Sequence, residues 1–205
     1  FMKNSKIGIL GETFEGMGDF YFNKNAFTLK YGCKFVNIPF LKLNKTINSL
    51  PEKEVLKELN YDIKRFKTKH NYNKELLALS EKYYLAIKRI LIEDNFSGFT
   101  MNFLSFTKSK LVKTVPFLAS NKLLAEGFGY AGEGDLLCSS LTSAMAKLCD
   151  EASFTEMFCP DFRNNHILMS HMGEGNYKFG KKGIKPELVE LDFKFGKINN
   201  PFTLV

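Results

Sequence analysis

Three ionisable residues stand out by their surroundings: Glu133 in AGEGD, Glu156 in FTEMF and His171 in LMSHMGE. Each sits among glycines or inside an apolar run, where a charged group is costly to bury unless it is paired or bound to a cation. Two carboxylates and an imidazole form a hard-to-borderline donor set suited to Mn2+ or another oxygen-preferring divalent ion. Plainer readings exist: a strand glutamate that faces solvent, and a strand histidine satisfied by a neighbour. Separations of 23 and 15 residues match no fixed ligand spacing, so spacing alone leaves both readings open.

Positioning such groups requires a frame, and the apolar pattern supplies one. Residues 6–10 (KIGIL) form a buried-strand run that ends at Gly11 and opens a glycine-rich loop. That loop is neither a P-loop nor a G-x-G-x-x-G turn, so nucleotide binding has no support. Helices are expected over 22–31, 51–66, 73–94, 116–126 and 135–149. Strands are expected over 33–38, 98–103, 152–158, 166–171, 188–195 and 202–205. The order, α/β first and mostly β afterwards, predicts a doubly wound parallel (Rossmann-like) sheet over 1–152. Residues 153–205 then begin a β-rich domain. In such a sheet the loop after Leu10, the end of strand 98–103 and the 127–135 loop meet beyond the carboxyl ends of the strands.

Composition limits the function classes. The 205 residues are 44% hydrophobic and 25% charged, with 21 Phe, 8 Tyr and no Trp, enough apolar mass for a packed core. No apolar run reaches the roughly 18–20 residues that span a bilayer, and no signal-peptide pattern opens the chain. Four scattered cysteines read as reduced, mostly buried thiols of a cytoplasmic protein. The net charge of +7 comes from residues 34–113, with 16 Lys+Arg against 8 Asp+Glu; residues 133–176 hold 2 against 7. The basic excess reads as a solvated helical face without any nucleic-acid-binding motif, whereas the acidic, glycine- and aromatic-rich segment reads as a cation-attracting pocket.

The strings FGYAGEGD, SFTEMFCPDF and ILMSHMGEGN resemble the L-arabinose isomerase and L-fucose isomerase-like family, and KIGILGETFEGMGDF is similar to the start of its middle domain. The resemblance implies a Mn2+-dependent aldose–ketose interconversion on a monosaccharide by a homo-oligomer. Glu133, Glu156 and His171 are then metal ligands, and the two glutamates double as the acid/base pair that moves a proton between adjacent sugar carbons. Met17, Phe103 and Phe158 match positions that line the sugar pocket; core packing is the alternative for the first two. Phe158 stands where arabinose-specific relatives carry Tyr, which puts arabinose as substrate in doubt. The family also has a fourth ligand, a histidine further along, and an N-terminal domain that covers the sugar. Neither matches a residue here, so a fragment with weak metal binding and little turnover is expected. A non-catalytic sugar- or metal-binding regulator on the same fold is the competing reading.

Overall fold

In the computed structural model, which describes residues 1–205, the KIGIL run becomes β1 (Lys6–Leu10), buried at four of its five positions. A run with no polar face must be covered on both sides, the condition of a central parallel strand. The chain continues through α1 (Lys24–Tyr31), β2 (Lys34–Asn37), α2 (Phe40–Ser49), α3 (Glu52–Arg65), β3 (Lys67–Thr68) and α4 (Lys74–Glu93). There follow β4 (Gly98–Met101), α5 (Phe103–Lys108), α6 (Phe117–Ala125), β5 (Gly129–Ala131) and α7 (Leu136–Cys149). Four strands form an all-parallel sheet in the order β2-β1-β4-β5. The expected α/β fold with a Rossmann-like sheet is therefore present. Strand order reverses between β1 and β4, so the ligand crevice of such a sheet opens beyond the carboxyl ends of those strands.

Both faces of the sheet are covered. On one, Tyr83, Ile87 and Ile90 of α4 share a core with Leu10, Phe99 and Met101. On the other, Ile7 and Ile9 pack with Cys33 and Leu136. The α7 helix lies so close to β5 that a Cβ on Gly129 would stand 2.3 Å from Cβ of Ser143. Only glycine permits that approach. Asn23, Asn73 and Asp135 cap α1, α4 and α7 by accepting a backbone N–H three residues on, as expected of such residues at helix starts.

Departures from the sequence expectations are local. Residues 98–103 do not run as one strand to Phe103. The Asn102 side chain accepts the N–H groups of Leu104 and Ser105 at 2.9 and 3.3 Å, and Phe103 becomes the first residue of α5. The strand expected at 152–158 shifts to β6 (Glu156–Asp161), which pairs only with β7 (His166–Ser170). This hairpin leaves Met157, Phe158, Ile167 and Leu168 exposed, so Glu156 does not sit in a buried strand. The strand expected at 188–195 shortens to β8 (Glu187–Glu190); further on, the Phe193 N–H bonds the Asn200 side chain instead of a neighbouring strand. With β3 and β9 (Phe202–Leu204), β8 forms a second sheet in the order β3-β8-β9. All four cysteines are free, but only Cys33 is buried; Cys149 and Cys159 are exposed. No helix is long and apolar enough to cross a membrane.

A buried cation sits in the protein's interior. Lys122 of α6, 2% exposed, sends its Nζ to Asp62 at 2.6 Å, Glu58 at 2.7 Å and Glu81 at 2.9 Å, and lies 3.8 Å above the Tyr84 ring. These three carboxylates lie close enough together to resemble a metal site, but the ammonium supplies the positive charge. Burial works against that charge; the carboxylates outweigh it and hold the Lys122 pKa up at about 12. Burial pushes Glu81 up to about 8 against the pull of Lys122, with the Asp62 charge adding to the rise.

Two outcomes follow from this network. Replacing Lys122 by Met strands the buried carboxylates and lowers stability by about 3–5 kcal/mol, read from urea unfolding. The folded state holds a proton on Glu81 up to about pH 8, whereas the unfolded chain releases it near the ordinary carboxylate value. Stability therefore falls as pH rises towards and through 8. Melting temperatures measured from pH 6.5 to 8.5 fall accordingly, and Glu81→Gln flattens part of the slope.

Candidate functional site

At the carboxyl end of β5 the chain reverses through Gly132-Glu133-Gly134. Glu133 adopts φ 60° and Gly134 φ 83°. A left-handed conformation at a non-glycine residue costs energy and persists where surrounding contacts enforce it. Here the Phe14 N–H bonds the Glu133 carbonyl at 3.0 Å, the Gly134 N–H bonds the Met101 carbonyl at 3.2 Å, and the Thr13 hydroxyl bonds the Gly134 carbonyl at 3.1 Å. The loop after β1, the end of β4 and the 132–134 turn thus meet at the crevice, as the topology requires. Asp135 is committed to capping α7 through the Cys138 N–H.

Glu133, Glu156 and His171 all line one cavity of about 250 Å³. Three different elements deliver them: the turn after β5, the first residue of β6 and the residue after β7. The floor is aromatic, with Phe103, Phe117, Phe193 and Phe195 packed edge to face or tilted at 5.3–6.0 Å between centroids. Phe158 borders the cavity, although its side chain is mostly in solvent. Met17 does not line it. It sits in the irregular loop before a short turn at Gly18–Phe20, partly in solvent; Phe14 of that loop is what touches Phe103, at 5.0 Å. Glu174 also lines the cavity, with its carboxyl buried.

The electrostatics of the cavity are those of crowded acids beside a neutral imidazole. Burial raises the Glu133 pKa, and the charges of Glu156 and Asp135 raise it further. Burial pushes Glu174 up to about 8 against the pull of its Tyr130 hydrogen bond, and the charges of Glu133 and Glu156 add to that. Burial also drives His171 down to about 4, so the ring is neutral at neutral pH and keeps a lone pair for coordination. Its Nδ1 is buried without a hydrogen bond. Two mutually repelling carboxylates and a neutral imidazole, one of whose nitrogens is without a partner, suit a hard or borderline divalent cation. The donor atoms of Glu58, Asp62 and Glu81 all lie within 4.8 Å of one another, whereas Glu133, Glu156 and His171 form no cluster that tight.

Sequence reasoning missed the Phe117, Phe193 and Phe195 walls and the tie from Tyr130 to Glu174. The aromatic spacing at 193 and 195 was visible as strand alternation. Nothing local linked Tyr130 to a carboxyl 44 residues away.

Several L-arabinose isomerases are similar to this chain in sequence. An L-arabinose isomerase of Leuconostoc mesenteroides subsp. mesenteroides is 37% identical over 112 residues, covering 53% of this chain and 22% of that protein. L-arabinose isomerase 2 of Bacillus licheniformis is 31% identical over 133 residues, covering 63% of this chain and 27% of its own length. The L-arabinose isomerase of Lactiplantibacillus plantarum is 26% identical over 209 residues, 98% of this chain and 43% of its own. The chain thus spans less than half the length of these relatives. Residues 22–151 match the sequence profile of the L-arabinose isomerase central domain, and with more than half of its length so matched the chain belongs to that family.

Proposed function

We propose that this chain contributes the cation-holding and proton-transferring part of a cytoplasmic aldose–ketose isomerase acting on a monosaccharide, with residues 1–152 as its central domain and 153–205 as its β-rich part. The observation that carries the reading is that two glutamates and a neutral histidine from three separate elements line one aromatic-floored cavity at the strand-order reversal. The family match supports the reaction class, and the relatives' names support a sugar substrate.

In this reading Glu133, Glu156 and His171 hold Mn2+ or another divalent cation. When bound, such an ion stabilises the negative charge that builds on the sugar oxygens as a proton leaves the adjacent carbon. The chain's own groups do the rest. Glu133 and Glu156 form the acid/base pair that moves a proton between adjacent sugar carbons. Unequal surroundings separate two carboxyl groups into two roles. The aromatic floor packs against the apolar C–H face of a sugar and excludes water from the proton path, which preserves transfer between adjacent carbons. A homo-oligomer is part of the reading, in keeping with the family resemblance.

Thermal unfolding with and without Mn2+ tests the site. Saturating Mn2+ at a hundredfold excess over its dissociation constant adds about 2.7 kcal/mol to the stability of the wild type, and Glu156→Ala loses that shift. A wild type whose melting temperature ignores Mn2+ and other divalent cations would sink the reading. In an aldose–ketose conversion assay, Glu133→Gln lowers kcat by about 10²–10⁴-fold while the fold, followed by circular dichroism, persists.

A further inference from the structure

A second hollow shares no residue with the cavity of Glu133, Glu156 and His171 and is larger, at about 650 Å³ against about 250 Å³. It is an open groove between the end of α5 with the chain that follows it and residues 197–199. Four lysines line it: Lys108 at the end of α5, Lys110 and Lys113 in the connection to α6, and Lys197 from the other segment. No carboxylate lines it. None of the four lysines is ion-paired. Lys194 shows the contrast, paired with Asp192 at 3.1 Å. The basic excess of residues 34–113 is thus more than a solvated helical face, because three of its lysines gather beside a fourth from residue 197.

Backbone contacts hold the two walls together. The Asn199 N–H bonds the Lys113 carbonyl at 2.9 Å, and the Thr114 hydroxyl bonds the Asn199 carbonyl at 3.0 Å. The Lys113 N–H in turn bonds the Tyr83 hydroxyl of α4 at 2.6 Å. Gly196, at φ 88°, runs so close to α5 that a Cβ there would stand 2.7 Å from Cβ of Thr107. With the walls tied in this way, little backbone ordering remains to be done on binding, which lowers its cost.

Like charges gathered without a counter-charge repel one another, and a concave surface lined by one sign of charge concentrates ions of the other. Each ammonium offers three donors and no acceptor, and hydroxyl and amide groups can donate too; Ser109 and Asn199 supply one of each. Such a set matches the charge and the many oxygens of phosphoryl groups, for which lysine is a common partner. The apolar lining is Val112 and Ile198, with no aromatic ring, so the groove has no platform on which a base could stack.

We propose that this groove binds a small oligophosphate, two or more linked phosphoryl groups recognised through their oxygens alone, at a place separate from the cavity. Two linked groups offer four lysines more charge and more oxygens than a single phosphate does. The assignment does not depend on the cation-site reading.

Titration calorimetry of pyrophosphate into the full chain tests it, with a chelator present so that no divalent cation bridges the two. A single pyrophosphate is expected per chain, bound more tightly than inorganic phosphate and more weakly as salt rises. Lys113→Gln and Lys197→Gln, one from each wall, each raise the dissociation constant about tenfold, while circular dichroism reads an unchanged fold. Lys53→Gln and Lys57→Gln, at exposed positions of α3, lower the net charge equally and leave the constant unchanged, as does Glu156→Ala in the cavity. Adenosine diphosphate binds no tighter than pyrophosphate. Absence of pyrophosphate binding overturns the proposal, and so does equal weakening by the α3 variants, which reduces the effect to net charge. Loss of binding in Glu156→Ala, a tenfold gain from the adenosine, or an oligonucleotide held by these lysines when pyrophosphate is not overturns it too.

Discussion

The burial of α6 is the constraint on which the rest of the molecule depends. All nine of its residues are buried, including Ser120, Asn121 and Lys122. Polar groups in that position must find partners inside the protein, and the partners they find organise two regions. Lys122 draws together Glu58 and Asp62 of α3 and Glu81 of α4, which ties together the helices on one side of the fold. The neighbouring Asn121 turns the other way. Its amide donates to the Gly173 and Gly175 carbonyls, while its Oδ1 accepts from the Thr203 hydroxyl and the Leu204 N–H. One buried turn of helix therefore anchors the electrostatic core and the segment that carries His171. A Phe117 side chain from the start of the same helix walls the cavity.

The cavity itself gains its chemistry from desolvation. The same burial that makes His171 a neutral base makes Glu133 and Glu174 reluctant to ionise. Groups at the head of the sheet are thus shifted towards forms they would not hold in water. Such perturbation clusters at sites that bind ions or move protons. Lys122 and Glu81 are perturbed as strongly, yet there the Lys122 ammonium reaches one oxygen of each of three carboxylates, and the network is structural. What separates the two clusters is the cation: an ammonium stands among the carboxylates of the first, although Asp62 Oδ1 and Glu81 Oε1 keep no hydrogen bond, whereas no Lys or Arg lines the second.

Rigid and loosely supported parts meet at that site. Glu133 sits on a left-handed turn fixed by two backbone hydrogen bonds and one from the Thr13 hydroxyl. Glu156 begins a hairpin whose strands pair only with each other and present much of their apolar surface to solvent. Packing holds the first carboxylate, and a pair of strands without other strand partners carries the second. A two-stranded hairpin by itself has little stability in water, so of the two carboxylates Glu156 has the weaker support.

How much of this was legible beforehand follows from the range of each interaction. Strand β1 and the long α4 are written in the periodicity of neighbouring residues, so sequence alone determined them. So too were the unusual surroundings of Glu133, Glu156 and His171. The short α5 offered too few turns to show a period, and Asn102 decided its start. In α2, apolar Phe40, Leu43 and Ile47 carried a helical spacing that went unread beside Pro39. Only the tertiary structure decided that Lys122 lies in the core, that Cys149 and Cys159 do not, and that Met17 stays outside the cavity. It alone joined Tyr130 to Glu174. Burial and long-range pairing depend on where distant segments come to rest, and no local pattern of side chains encodes that.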